Sequence, residues 1–147
     1  MNINTLTIKA QELLQSAMTL AHTKGQQALE PQHILATAIA DDNSLASYLF
    51  GRVGINIDTL RKQVAEAIER LPRVEGSESN IFFSRESSAV IQRAVELTRT
   101  FSDKYASIEH IIAAMAHERS VVRDILKHMG VTEEQLIAAI KEFRKGA

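Results

Sequence analysis

Glu30-Pro31-Gln32-His33-Ile34-Leu35-Ala36 returns 77 positions later as Ser107-Ile108-Glu109-His110-Ile111-Ile112-Ala113. The same shift carries Gln15, Ala17, Leu20 and Thr23 onto Gln92, Ala94, Leu97 and Thr100. After one deletion near Asn43/Ser120, Gly54 falls on Gly130 and Leu60 on Leu136. Residues Thr7 to Leu71 therefore reappear from Ser84 to about Lys145. Repetition at a fixed spacing marks duplicated supersecondary units that bury their apolar faces against each other. It predicts one domain over 1–147, with similar halves at about 7–71 and 84–145 and a connector over 72–83.

Within each half the apolar residues recur at helical spacing. Ala10, Leu13, Leu14, Ala17, Leu20 and Ala21 form one stripe, matched by Val90, Ile91, Ala94, Leu97, Thr98 and Phe101. Three shorter stripes follow in each half, ending with Leu60/Val64/Ala67/Ile68 and Leu136/Ile137/Ile140/Phe143. The reading is all-α, eight helices as two pseudo-symmetric four-helix repeats. Helix signals agree with it. Thr7 and Ser84 can cap a first helix, Pro31 fits a first turn, and Thr132-Glu133-Glu134-Gln135 fits a reciprocal capping box. Gly54 and Gly130 mark the ends of the third helices. In the connector, Pro72, Gly76, Ser77, Ser79 and Asn80 form turns, and Ile81-Phe82-Phe83 is expected to tuck onto a helix as an anchor.

The bulk composition excludes several classes. A formal net charge of −1 provides no basic field for nucleic acid or an anionic membrane. Zero cysteines exclude a disulfide scaffold and a thiolate zinc site. No apolar run approaches the roughly 20 residues of a membrane span. The first six residues lack the cationic and apolar regions of a secretion signal. A soluble, cytoplasmic protein is expected, with neither nucleic acid nor membrane as partner.

No catalytic motif stands out. There is no phosphate loop, no G-x-G-x-x-G, no G-x-S-x-G elbow and no cysteine nucleophile. His117-Glu118 is followed by Arg119-Ser120-Val121, so H-E-x-x-H is absent, and no further ligands are spaced to make His110 and His117 a metal site. His33 and His110 occupy equivalent places, which reads as packing histidines hydrogen-bonded to the facing half.

Asp103 and Glu109 break the repeat, because their counterparts Gln26 and Gln32 are uncharged. Asp103 falls in the turn after the fifth helix. Glu109 falls in the first turn of the sixth, where the helix dipole favours a carboxylate. Two readings stay open: a turn former with a dipole-complementing surface charge, or a binding site. Thr7 is likewise an N-cap first and a functional contact second.

Glu30-Pro31-Gln32-His33-Ile34-Leu35, Leu71-Pro72-Arg73-Val74-Glu75-Gly76 and the closing Phe143-Arg144-Lys145-Gly146 resemble the amino-terminal domain of the Clp/heat-shock AAA+ unfoldases. The connector motif resembles the ClpB-type disaggregase branch rather than the protease-coupled one. The resemblance covers essentially the whole chain. It implies a non-catalytic substrate-binding domain that engages unfolded or aggregated polypeptide and passes it to an ATPase ring. The alternative it carries is docking of adaptor proteins. Family polar contacts match Thr7, Asp103 and Glu109, and apolar groove positions match Ile91 and Leu97. Where relatives are apolar, this chain has His110 and Arg93, which implies a more polar groove, with His110 as a protonatable contact. No cofactor or metal is implied in this segment, since ATP and Mg would belong to ATPase domains outside it. Those domains would also form the hexamer, leaving this piece monomeric.

Overall fold

Each half of the repeat becomes four helices in the computed structural model, which describes residues 3–74 and 80–146. The first half holds α1 (Ile8–Thr23), α2 (Pro31–Ala38), α3 (Leu45–Arg52) and α4 (Ile57–Glu69). The second holds α5 (Arg85–Phe101), α6 (Ile108–Met115), α7 (Val121–His128) and α8 (Glu133–Lys145). The all-α expectation is met. Gly76, Ser77 and Ser79 of the connector lie outside the described residues.

Local chemistry accounts for the helix boundaries. Thr7 Oγ1 accepts the Ala10 amide at 3.1 Å and Ser84 Oγ accepts that of Ser87 at 3.0 Å, satisfying donors the first turn cannot use. Gln135 donates to Thr132 Oγ1 at 3.2 Å, and its side-chain oxygen accepts from the Thr132 amide at 3.0 Å. Helices α3 and α7 stop just before Gly54 and Gly130.

One core joins the halves. Leu29, Ile34, Phe50 and Leu60 are fully buried with Ile111, Met115, Leu126 and Leu136. Helix α2 packs on α7 as well as on α1, and α3 packs on α8. Burying one such side chain is worth roughly 1.5–3 kcal/mol, so each half draws stability from the faces of the other.

The lead-ins cross over. Leu6 pairs with Ala106 as a parallel bridge, and the Thr7 amide donates to the Ala106 carbonyl at 2.9 Å. At the equivalent place, β2 (Phe82–Phe83) pairs in parallel with β1 (Ala28–Leu29), and the Ser84 amide donates to Leu29 at 3.1 Å. Each half is thus entered by a strand lying on the other half. The expected anchoring on a helix holds for the Phe83 side chain, while the backbone of Phe82–Phe83 pairs with β1 instead. An extended backbone needs hydrogen-bond partners, which β1 supplies and a helix flank does not. Phe82 is left exposed, while Phe83 reaches the α1 face beside Leu14 and Met18.

Candidate functional site

Helix α5 ends in a left-handed residue, Ser102, at φ 56°, and the Asp103 amide returns to the Thr98 carbonyl at 2.8 Å. The first half makes the same turn with Gly25 at φ 69° and Gln26 bonded to Ala21 at 3.0 Å. The turn aims Asp103 and Gln26 at the opening turn of the next helix, where each meets the repeated histidine.

The histidines complete the helix starts. His110 Nδ1 accepts the Ser107 amide at 2.9 Å. A backbone N–H can only donate, so Nε2 carries the ring hydrogen and donates to Asp103 Oδ2 at 2.7 Å. His33 does the same, accepting from the Glu30 amide at 2.9 Å and donating to Gln26 Oε1 at 2.6 Å. Both histidines are buried and bond within their own half, which corrects the expected bonds to the facing half. Burial lowers the His33 pKa to about 4, since a charged imidazole loses its hydration there.

Beyond the histidine the halves diverge. Gln26 is buried, and its amide nitrogen donates to the Ile68 carbonyl at 2.8 Å, a neutral and fully satisfied arrangement. Asp103 has two acceptor oxygens and no donor, so it needs a cation. Arg144 supplies it from the last turn of α8, with Nη1 on Oδ1 at 3.1 Å and Nη2 on Oδ2 at 2.8 Å. Nη2 also reaches Glu109 Oε2 at 3.2 Å, and the Ser107 hydroxyl donates to Glu109 Oε1. The guanidinium lies over the Phe101 ring at 4.8 Å, and Phe101 meets the His110 ring edge-on.

Burial alone would raise the Asp103 carboxyl. Hydrogen bonds and charge from Arg144, followed by His110, outweigh it and hold the group below its ordinary value. Burial also opposes ionisation of Glu109. The Ser107 hydroxyl, the Glu109 amide and Arg144 prevail, and that carboxyl too is lowered.

Asp103 and Glu109 come together on Arg144, and the Leu6–Ala106 bridge sets the Thr7 backbone beside Ala106, midway between them in sequence. The Asp103 and Glu109 side chains keep 26% and 15% of their surface, enough for a ligand to touch them. Ile91 and Leu97 do not join them. They are buried on the core face of α5 and offer no groove wall, since the stripe that makes α5 amphipathic faces α6. His110 is buried as well, so it is a positioning residue behind Asp103 and cannot make an open groove more polar. Arg93 is held by Glu133 of α8 at 2.7 and 3.0 Å.

The residue that sequence reasoning missed is Arg144. It stands 76 positions after Ile68, so it is a further departure from the repeat, concealed in what reads as a closing tail. A separate groove of about 360 Å³ is lined by Ile3, Leu14, Met18 and Phe83 together with Gln11, Gln15 and Ser88. Among the described residues, no cluster of three or more potential metal ligands occurs, and no helix is long and apolar enough to cross a membrane.

Comparison with known proteins gives concordant results. The family model described as Clp repeat (R) N-terminal domain matches residues 5–129. A Chaperone protein ClpB of Porphyromonas gingivalis is 42% identical over 146 residues, covering 99% of this chain and 17% of its own length. One from Bacteroides thetaiotaomicron is 40% identical with the same coverage. The chain thus spans 17% of the curated relatives it matches. Among solved structures, the Hsp104 N-terminal domain from Candida albicans superposes with a TM-score of 0.81 at 22% identity, over 95% of this chain and 91% of that one. A complex of the ClpV N-domain with VipB peptide gives 0.72 at 20% identity, over 91% and 83%. At such identities these structures speak for the fold alone.

Proposed function

The chain belongs to the Clp repeat (R) N-terminal domain family, and from that membership we propose that it is the non-catalytic client-binding module of a ClpB-type disaggregase. It engages unfolded or aggregated polypeptide in the cytoplasm and delivers it to an ATPase ring. The observation that carries this reading is the pairing of Asp103 and Glu109, both still solvent-accessible, on Arg144, next to the segment where the Thr7 amide bonds Ala106. Polar groups of that kind orient an unfolded segment. Apolar burial, at about 25 cal/mol per Å², supplies the attraction, and the groove at Ile3, Leu14, Met18 and Phe83 is a surface for it. Binding is weak, because ordering a flexible client costs entropy.

Exchanging both carboxylates, by Asp103→Asn with Glu109→Gln, keeps the side-chain shapes and removes the charges. Affinity for a denatured model client should fall about tenfold, the size of one charge-assisted contact. Helicity should be kept, with melting lowered by a few degrees because Arg144 loses both charged partners. Unchanged affinity in a folded double variant overturns the assignment of these residues. A chain that captures a folded adaptor and ignores denatured client favours the adaptor-docking reading instead.

A further inference from the structure

In the first half the chain covers its own turn. After α4 it bends at Leu71-Pro72 and runs back across Gln26, and the Val74 amide donates to the Gly25 carbonyl at 2.8 Å. Leu71, Pro72 and Val74 close a groove of about 190 Å³ over Gln26, Ala28 and Glu30. Arg73 is tied to Glu69 at 3.0 Å. A short extended segment is therefore seated on the repeat unit by one backbone hydrogen bond, apolar contacts and one ion pair.

The second half repeats the seat with altered chemistry. Gly25, Gln26, Ala28 and Glu30 become Ser102, Asp103, Tyr105 and Ser107, and Glu69 becomes Lys145. Ser102 shares the positive φ of Gly25, and the residue after each closes the same bond to the preceding helix. Among the described residues no backbone amide donates to the Ser102 carbonyl. Tyr105, 44% exposed, puts an aromatic ring at the position where the first half has Ala28. Asp103 and Glu109 share the single positive charge of Arg144, so the cluster keeps one negative charge. Beside it stand Lys104, over the Tyr105 ring at 5.5 Å, and Lys145, loosely paired with Glu142 at 3.7 Å.

We propose that the second half binds an extended client segment in the pose that residues 71–74 adopt on the first. A client amide bonds the Ser102 carbonyl, apolar client residues cover Tyr105, and an acidic residue replaces Arg73 to face Lys145. The pattern selected is apolar-Pro-acidic-apolar in an extended backbone. This inference rests on the client-binding reading and specifies its substrate class.

The test titrates the isotope-labelled chain with end-capped peptides and follows its backbone amides by NMR. One peptide is Arg-Leu-Pro-Arg-Val, the sequence of residues 70–74, and the other is Arg-Leu-Pro-Glu-Val. Amides from Asp103 to Ala106 should shift, and the glutamate peptide should bind roughly two- to fivefold tighter at low salt, the scale of an exposed ion pair. N-methylation of the valine amide should weaken binding by up to about tenfold, as for one lost hydrogen bond. Absence of shifts at this turn, equal affinity for the N-methylated peptide, or preference for the arginine peptide each overturns the proposal. Concentration-dependent shifts without peptide would assign the surface to a second copy. Loss of binding in a chain extended past position 147 would assign it to that extension. Either outcome also overturns the proposal. If denatured client still binds while neither peptide does, this inference falls and the broader function stands.

Discussion

The two histidine turns share one backbone device and solve its electrostatics in opposite ways. In the first half a glutamine joins His33 to the Ile68 carbonyl, and the whole assembly is neutral and sealed. In the second, three replacements act together: Gln26 gives way to Asp103, Gln32 to Glu109 and Ile68 to Arg144. A carboxylate cannot donate, so the acceptor that served a glutamine must be exchanged for a cation, and the cation must reach water. The comparison teaches that a duplicated scaffold can open one copy of a site without disturbing the other, provided the charge partners change as a set.

The sharpest way to break this comparison is to move one member alone. Gln26→Asp places a buried carboxylate against the Ile68 carbonyl, to which Gln26 now donates. It should cost about 3–5 kcal/mol in urea denaturation at neutral pH, as an unpaired buried charge does. The reverse change, Asp103→Gln, should cost only about 1 kcal/mol, because the first half shows that glutamine satisfies the histidine. Equal losses would mean that the two turns are not equivalent.

Acid separates the halves next. His33 takes up a proton near pH 6.5 in the unfolded chain but only near 4 in the folded one. The unfolded state therefore binds more protons between those values, and stability falls as pH drops through that window, by at most about 3 kcal/mol. Asp103 and Glu109 have lowered pKa values, so their contribution persists at higher pH. It is lost only as pH falls below the ordinary carboxylate range toward their folded values. Urea midpoints at neutral pH and at pH 4.5 check this, and a flat profile would count against the burial argument for His33.

The smallest effect concerns the turn itself. Ser102 holds a left-handed conformation that L side chains adopt at a cost, whereas Gly25 adopts it freely. Ser102→Gly should raise stability by about 0.5–1 kcal/mol, and Gly25→Ala should lower it by about 1 kcal/mol, both read from thermal melts.

How much of this was legible in the chain follows from what each signal encodes. Helical stripes and caps are local, so Thr7, Pro31, Ser84 and Thr132 located their helices. Asp103 and Glu109 stood out because the repeat supplies an internal control. The stripe containing Ile91 and Leu97 could not distinguish a core face from a groove face, since both demand apolar residues at the same spacing. Two-residue strands such as Phe82–Phe83 have no period to detect. Arg144 escaped because its partners lie 41 and 35 residues away, a relation that only folding reveals.

The crossed lead-in strands bear on ancestry. Leu6 lies on Ala106 and Phe83 lies against Leu29, so each half donates an arm and receives one, as protomers do in an exchanged pair. A lone ancestral repeat could have met both needs by clasping a second copy of itself. Joining two such protomers in one chain would free each to mutate independently. The asymmetry at Asp103, Glu109 and Arg144 was out of reach of a symmetric homodimer, in which every change appears twice.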